Sequence, residues 1–394
     1  MARKNFLCPY CFKRVDVAEM KFLCSTCRSA FVSTKSTKSG PKSWFRSEKP
    51  SQSATCSCGK KDVTTRACPH NECQNELPPE TSELSDVSIA VIGAKESGKS
   101  NFIALLINRI SLLAMEFDWT LSWLTEGTNT RYKEKFYNPL FLGKVPVQET
   151  QEQDDDVRAP LLYSLNIRRK KKITIAFFDT AGESLDKKED ELANFAPYIY
   201  NSSGIICLID PLQLDLVQEE LLSPRCGKKK EDLPSKNTDG DEILNRINRV
   251  IRNGYRDKRG KPIPMKDRVP IPLAVAFSKI DMLERPSGND SLLLLDQDPL
   301  FGQSAHRGHY DKAEGNSISE SLRHWLQVAD TKGIVNQATG FTHHQFFGFS
   351  ALGCNPQATQ KLQHRPKPWR VEDPFLWILW CNGLIPPWKK SWRK

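Results

Sequence analysis

A glycine-rich octapeptide gives this sequence its clearest chemical signal. Residues 93–100 read Gly93-Ala94-Lys95-Glu96-Ser97-Gly98-Lys99-Ser100 and match the pattern G-x-x-x-x-G-K-[ST]. The glycines let the backbone turn and approach phosphate oxygens, and successive N–H groups at the start of the next helix form an anion cradle. In this pattern the lysine contacts the β- and γ-phosphates and the final hydroxyl binds Mg²⁺. We therefore predict a nucleotide site formed by these eight residues and Asn101.

A second element follows an apolar run further along the chain and reads Asp179-Thr180-Ala181-Gly182-Glu183. A strand-end aspartate in this position holds Mg²⁺ through a water molecule, so Asp179 and Ser100 are predicted magnesium residues. The N–H of Gly182 is predicted to bind the γ-phosphate. The loop would then sense whether that phosphate is present.

Two later loops are predicted to select the base. Residues 278–281, Ser278-Lys279-Ile280-Asp281, follow the pattern [NT]-K-x-D except that serine replaces asparagine or threonine. In that pattern the carboxylate accepts two hydrogen bonds from the N1–H and N2–H₂ edge of guanine, and the lysine stem lies along the base. Adenine lacks this donor pair and is rejected. Downstream, Ser350-Ala351-Leu352 would bring the N–H of Ala351 to guanine O6. The predicted ligands are therefore GTP and GDP.

Eight of the twelve cysteines lie before residue 74 and have the spacing of zinc ligands. The predicted ligands are, for one ion, Cys8, Cys11, Cys24 and Cys27, and, for a second ion, Cys56, Cys58, Cys68 and Cys73. Three alternatives stay open: His70 in place of Cys73, an interleaved pairing across the two sets, and an iron–sulfur cluster in place of zinc. A site with four protein ligands has no open position, so we predict two zinc ions that stabilise the fold.

The elements that would position these residues can be inferred from the alternation of apolar runs and helical stretches after residue 87. The predicted strands are Val87–Gly93, Leu161–Arg168, Lys172–Asp179, Gly204–Asp210, Ile271–Ser278 and Phe346–Ser350. Because only a hairpin fits between the second and third, these two should be antiparallel and the others parallel. The predicted helices are Lys99–Glu116, a helix around Lys187–Tyr200, Asp241–Asn253 and Ser317–Val328. The fold class is α/β, with a mostly parallel sheet flanked by helices.

Composition divides the 394 residues into four segments. They are a double zinc-ribbon-like module (1–76), a linker (77–86), the nucleotide-binding domain (87–353) and a Pro-rich connector with an apolar helix and a basic tail (354–394). Arg225–Asp241 and Arg285–Asn316 are predicted surface insertions. The pair Asp373-Pro374 predicts a helix start. We expect this helix to pack on the core, the rival interpretation being an exposed helix that binds a partner.

The first residues, MARKNFLCPYC, show no apolar stretch of signal-peptide length, and no segment reaches the length of a membrane-spanning helix. This predicts a cytoplasmic protein, in which cysteines bind metal in preference to forming disulfides. The net charge of +10 is compatible with a solvated basic surface, which is the preferred interpretation, and it would also suit an acidic partner. Such a partner would be a protein, or a nucleic acid bound by the zinc ribbons or the basic tail.

The nucleotide motifs, in their order, resemble the G1, G3, G4 and G5 motifs of Ras-like, translation-factor-related GTPases. More narrowly, the chain resembles the bacterial double-GTPase family of GTPase-centred conflict systems. The features that carry this resemblance are the paired cysteine motifs, GAKESGKSNF, DTAGE, LIDP at Leu208–Pro211 and the closing VEDPFLWIL. The resemblance implies a P-loop GTPase that signals to partner proteins in a defence system.

The resemblance also implies catalytic residues, namely Lys99, Thr150 and Glu183. A switch threonine should close over Mg²⁺, and Thr150 is the preferred residue, with Thr128 and Thr130 as alternatives. Glu183 stands where Ras-type proteins carry a glutamine that orients the attacking water. A carboxylate there adds negative charge beside the γ-phosphate, so we predict slow intrinsic hydrolysis that a cation from a partner or second copy would accelerate.

The sequence thus predicts a GTP-hydrolysing regulatory switch whose protein partner binds at the switch regions. Two alternatives are a nucleotide-binding scaffold that does not hydrolyse GTP and a nucleic-acid-binding zinc-ribbon protein with an accessory GTPase domain.

Overall fold

The computed structural model describes eleven segments of the chain. They are residues 5–32, 53–79, 85–94, 96–147, 160–167, 171–177, 196–234, 240–257, 260–296, 300–354 and 361–386. Within them the fold is a small cysteine-rich module followed by an α/β domain, as the sequence predicts.

The N-terminal module is built from six short strands. These are β1 (Asn5–Leu7), β2 (Arg14–Asp16), β3 (Lys21–Leu23), β4 (Ala30–Phe31), β5 (Arg66–Ala67) and β6 (Glu76–Leu77), with a 3₁₀ turn at Val17–Glu19. β1 pairs with β2, and the other four form a second antiparallel sheet in the order β4-β3-β5-β6. Because β3 pairs with β5, the first and last thirds of the module lie side by side.

The described residues of the α/β domain form eight strands in two four-stranded sheets. They are β7 (Ser85–Asp86), β8 (Ile89–Gly93), β9 (Trp119–Trp123), β10 (Leu161–Ile167), β11 (Lys171–Phe177), β12 (Gly204–Ile209), β13 (Leu273–Phe277) and β14 (His344–Gly348). One sheet has the order β14-β13-β12-β8 and is fully parallel. The other has the order β7-β11-β10-β9. The two sheets meet where β7 leads into β8.

The predicted hairpin is confirmed, since β10 and β11 are antiparallel from Leu161 opposite Phe177 to Ile167 opposite Lys171. The parallel β12 and β13 are buried along their whole length, which is typical of strands covered on both faces. β9 was not predicted. Its residues are half exposed at the edge of the sheet, so the sequence lacks a continuous apolar run there.

The described helices cover both faces of the parallel sheet and also pack on the second sheet of the domain. They are α1 (Lys99–Leu112), α2 (Ala114–Phe117), α3 (Glu126–Arg131), a π-helical segment (Tyr132–Leu142), α4 (Asp215–Leu222), α5 (Gly240–Gly254), α6 (Lys312–Val328), α7 (Lys332–Thr339) and α8 (Asp373–Cys381). On the second sheet, α2 and α3 contact β9, and α3 also contacts β10. On β12, Ile206 and Leu208 belong to the face packed with α1 and α8. Ile205 and Cys207 belong to the opposite face, packed with α5 and α6.

Several predicted boundaries are corrected. The first predicted helix, Lys99–Glu116, is divided into α1 and α2 at Leu113, and α3, α4 and α7 were not predicted. Of the helix predicted around Lys187–Tyr200, only residues 196–200 are described, and these are helical. The insertion Arg285–Asn316 is more than a surface loop, because Leu294, Leu300 and Tyr310 are buried in it.

The apolar C-terminal segment packs on the core, as expected, and the interpretation of it as an exposed helix is wrong. Helix α8 buries its first seven residues, Asp373 to Leu379. Its N-cap is Glu372, one residue earlier than predicted. An ion-pair cluster fixes this end: the buried Arg370 binds Asp373 Oδ2 at 3.1 Å and Glu314 Oε1 on α6 at 2.8 Å.

We expect Arg370→Met to lower the free energy of unfolding by about 3–5 kcal/mol, because it leaves the buried Asp373 and the partly buried Glu314 without their shared cation. The matched control is Arg323→Met, which removes an exposed pair with Glu320 and should cost less than about 1 kcal/mol. Urea unfolding of both variants measures the difference. Equal effects of the two substitutions would contradict this assignment.

Candidate nucleotide-binding site and zinc centres

The phosphate loop leaves β8 at Gly93 and enters α1 through Gly98. Gly98 has φ 82° and Glu96 has φ 63°, so two residues of the loop are left-handed, a conformation that turns successive N–H groups inward. A Cβ on Gly93 would lie 2.5 Å from Ser97 Oγ and 2.9 Å from Leu208 O, so only glycine fits there. Ser97 Oγ is buried and has no hydrogen-bond partner within the described part of the chain. This cradle fits a phosphate chain.

Lys99 is the first residue of α1, and it is buried. Ser100 and Asn101 follow it in the first turn. The carboxamide oxygen of Asn101 accepts a hydrogen bond from the Val147 N–H at 3.0 Å. This contact ties the chain just before Thr150 to the helix that carries the phosphate loop.

The predicted base-binding loops lie together at the carboxyl end of the parallel sheet. Asp281 follows β13, and the Ser350 hydroxyl, just after β14, donates a hydrogen bond to its carboxylate. Burial raises the pKa of Asp281, while the bond from Ser350 and the charge of Lys279 act in the opposite direction. The Ile280 N–H donates to Phe349 O at 3.2 Å and holds the two loops in register. The structure thus brings Asp281 beside Ser350-Ala351-Leu352.

Asp210 is a site residue that the sequence reasoning missed. It ends β12, its side chain is 1% exposed, and its Oδ2 lies 2.5 Å from Lys279 Nζ. Burial raises the pKa of its carboxyl, the charge and hydrogen bond of Lys279 lower it, and the negative charge of Glu96 in the phosphate loop raises it further. Asp210 therefore holds the lysine of the base-binding loop at the carboxyl end of β12. It lies in the LIDP stretch, where an aspartate at the end of an apolar strand was the available signal.

Five predicted site residues lie outside the described residues. They are Lys95, Thr150, Asp179, Gly182 and Glu183. Their roles stay predictions. The alternative switch threonines are described: the buried Thr128 accepts a hydrogen bond from the Leu162 N–H at 3.1 Å, and Thr130 lies within α3.

The eight N-terminal cysteines form two compact clusters. Cys8, Cys11, Cys68 and Cys73 make the first, and Cys24, Cys27, Cys56 and Cys58 make the second. Sulfur–sulfur distances are 3.9 Å for Cys8–Cys73, 3.8 Å for Cys11–Cys68, and 3.5 Å for both Cys24–Cys58 and Cys27–Cys56. A tetrahedral site with Zn–S bonds of about 2.3 Å has sulfur–sulfur edges of about 3.8 Å. Both clusters fit zinc.

The preferred pairing of the cysteine sets is wrong, and the interleaved alternative is observed. The antiparallel pairing of β3 with β5 places the knuckle of Cys68 and Cys73 beside that of Cys8 and Cys11. His70 is not part of either cluster, and its Nε2 lies 3.3 Å from Arg14 O instead.

The double variant Cys11→Ser/Cys68→Ser tests this pairing. It removes two ligands from one cluster only, so we expect the protein to retain one zinc ion of two, measured by atomic emission. The control Cys226→Ser, at a cysteine outside both clusters, should retain both ions. Loss of both ions in the double variant would instead support the pairing of neighbouring sets.

Comparisons with known proteins agree with the motifs. Residues 87–260 match the double-GTPase 2 family (DO-GTPase2). The resemblance to double-GTPases predicted from the sequence is therefore confirmed for this domain. A curated relative is the putative ESX-1 scaffolding and assembly protein SaeC of Mycolicibacterium smegmatis, which is 26% identical over 326 residues, 79% of each chain.

Two solved structures are also similar to this chain. The Arl6/BBS3 small GTPase from Trypanosoma brucei, with a bound nucleotide analogue, is 11% identical, with a TM-score of 0.30 over 76% of this chain and 98% of that one. The GTPase-like domain of S. cerevisiae Ski7, bound to GDP and inorganic phosphate, is 13% identical, with a TM-score of 0.27 over 78% and 51%. Among the described helices, none has the length and apolar character needed to span a bilayer.

Proposed function

Because this chain carries a domain of the double-GTPase 2 family, we propose that it binds GTP with Mg²⁺ and hydrolyses it slowly, as a switch. The main observation that supports this proposal is that three loops meet at one edge of the sheet. The phosphate loop follows β8, Asp281 follows β13 and Ser350 follows β14. The Lys279–Asp210 ion pair fixes the base-binding loop to the end of the central strand β12.

In this proposal Lys99 and the N–H groups of residues 93–100 hold the phosphates. Ser278, Lys279 and Asp281, together with Ser350-Ala351-Leu352, hold guanine. Ser100, Thr150 and Asp179 hold the Mg²⁺, and Gly182 contacts the γ-phosphate. The bond from Val147 to Asn101 supports Thr150, since it brings the preceding chain to α1. Thr128 is a weaker candidate, because its hydroxyl is engaged with Leu162 and with Thr125.

The bound Mg²⁺ would neutralise charge that develops on the phosphates. Glu183 would order the attacking water, and its negative charge makes the intrinsic rate low. Faster turnover would then require a cation from a partner or from a second copy of the chain.

We place the switch upstream of protein assembly, because the relative SaeC is named as a scaffolding and assembly protein. The same relative favours a second candidate function, a scaffold that binds nucleotide without hydrolysing it. The family resemblance would set either activity in a bacterial conflict system. Nucleic acid stays an alternative partner for the zinc module or the C-terminal tail.

Competition against a fluorescent GDP analogue tests the binding step. GTP and GDP should displace the analogue, and ATP should bind at least about 100-fold more weakly. Equal displacement by ATP would contradict guanine selection. Single-turnover phosphate release then separates the two candidate functions: a switch releases phosphate at about 10⁻⁴–10⁻² s⁻¹, the range of GTPases that lack an external arginine. A scaffold releases none.

A further inference from the structure

A tyrosine occupies one edge of the strand that leads to the phosphate loop. The Tyr198 hydroxyl donates to Ile89 O at 2.7 Å and accepts from the Val91 N–H at 3.1 Å. The other edge of β8 pairs with β12. Peptide groups alternate in direction along a strand. The buried Tyr198 therefore forms hydrogen bonds with backbone groups of β8 that point away from β12. There β11 pairs with β7 and not with β8.

The zinc module contacts this tyrosine directly. The ring of Phe12 lies 4.9 Å from that of Tyr198, centroid to centroid, and is 4% exposed. The Asn201 side-chain amide donates to Phe12 O at 2.9 Å. Phe12 thus joins the core of the α/β domain, although it belongs to the zinc module.

The conformation of Phe12 depends on the zinc knuckle. Phe12 directly follows Cys11, its N–H donates to Cys8 O at 2.9 Å, and its φ is 55°. A phenylalanine in this left-handed region is strained, so the surrounding turn must hold it there. Cys8 and Cys11 are the two thiols that this turn presents to the first zinc cluster. A bound ion would therefore hold Phe12 against Tyr198.

The second cluster has different surroundings. It packs with Phe22 and Val63, and its thiols Cys27 and Cys58 are exposed. Phe22 is as buried as Phe12, at 3% exposed, but its ring neighbour is Phe31 of the same module at 5.9 Å. The module thus offers a buried phenylalanine at each cluster, and one of them enters the core of the α/β domain.

We infer that zinc at Cys8, Cys11, Cys68 and Cys73 is linked to nucleotide binding, with Phe12 and Tyr198 as positioning residues for the phosphate loop. This inference rests on the proposed function. Zinc holds Phe12, Phe12 holds Tyr198, and Tyr198 holds the β8 backbone that ends at Gly93. Linkage is reciprocal, so nucleotide must raise the zinc affinity of this cluster by the factor with which zinc raises nucleotide affinity.

Equilibrium competition with a zinc chelator measures the linkage on the full chain. Saturating GDP should raise the zinc affinity of the first cluster at least about fivefold, the lower end of ordinary coupling. The second cluster should not respond. Alkylation of free thiols followed by mass spectrometry identifies the cluster that loses its ion. A purely structural role of the module would not make zinc retention depend on GDP.

Two matched variants test whether the linkage between zinc and nucleotide runs through Phe12. Phe12→Ala should abolish the effect of GDP on the first cluster, whereas Phe22→Ala should preserve it. Tyr198→Phe keeps the ring contact and removes the hydroxyl, so it should reduce the effect while leaving zinc affinity without nucleotide unchanged. If Phe12→Ala does not fold, the effect of Tyr198→Phe on the linkage decides the test.

Direct GDP binding, measured on every variant, separates the inference from the proposed function. A wild-type chain that binds no guanine nucleotide would contradict the proposed function. A wild-type chain that binds GDP while both clusters keep the same zinc affinity would overturn the linkage alone. Persistence of the GDP effect in Phe12→Ala would overturn the path.

Discussion

Replacing Asp281 with asparagine is expected to weaken GTP binding by about 10²–10³-fold. A carboxylate accepts both hydrogen bonds from the N1–H and N2–H₂ groups of guanine, and each bond to a charged group contributes about 1.5–3 kcal/mol. Asparagine turns one acceptor into a donor, which meets the N2–H₂ group unfavourably. Xanthine carries an oxygen at that position, so Asp281→Asn should bind xanthosine triphosphate better than the wild type does.

The structure makes this substitution informative, because asparagine matches the shape of aspartate and can still accept the hydrogen bond from Ser350. The Lys279–Asp210 pair also stays in place. A change in base preference would then report on the carboxylate and not on a collapse of the loop.

Competition binding with GTP and xanthosine triphosphate measures the preference. The control Asp296→Asn removes an exposed carboxylate that pairs with Arg285 and should leave both affinities unchanged. An Asp281→Asn variant with wild-type affinity for GTP would remove Asp281 from the base site.

Local patterns in the sequence were sufficient to predict much of the α/β domain. The apolar run before Gly93 and the glycine pattern together predict a strand, a phosphate loop and a helix, because each signal lies within a few residues of the next. The connection between β10 and β11 also lies within a few residues, and because only a hairpin fits there, it predicts their antiparallel pairing. The positions of Asp281 and Ser350 after apolar strands also predict that they meet, since parallel strands end at one edge of a sheet.

Contacts between distant residues could not be predicted in this way. The cysteine pairing is set by β3 and β5, whose partners lie more than forty residues apart. Spacing within each of the four cysteine pairs contains no information on this choice. The docking of Phe12 on Tyr198 and the pairing of Lys279 with Asp210 are likewise visible only once the chain is folded.

Two segments whose composition indicates an exposed position are buried in the folded protein. Arg285–Asn316 has the composition of a surface loop, yet Tyr310 is completely buried there and its hydroxyl accepts a hydrogen bond from Gln345 Nε2 at 2.8 Å. The charged residues around 370–373 similarly have the composition of an exposed segment. They lie inside the protein because Arg370 pairs with both Glu314 and Asp373, and Glu372 pairs with Arg109.

Lys99→Ala is expected to reduce the affinity for GTP and GDP by about 10²–10³-fold or more. Lys99 begins α1 directly after the left-handed Gly98, so its ammonium group can reach the phosphates that the loop residues surround. Removing one partner of a buried ion pair costs about 3–5 kcal/mol, and each 1.4 kcal/mol is a tenfold change in affinity.

Lys332→Ala is a matched control for Lys99→Ala, because Lys332 is also the first residue of a helix but its side chain is 76% exposed. It should bind nucleotide normally. Fluorescent GDP titration measures both variants, and their melting temperatures without nucleotide should match the wild type within a few degrees. Unchanged affinity in a folded Lys99→Ala variant would mean that the phosphates bind elsewhere. The loop at 93–100 would then lose its assigned function, and the choice of guanine by Asp281 would lose its physical basis, because base and phosphates must be held by one connected site.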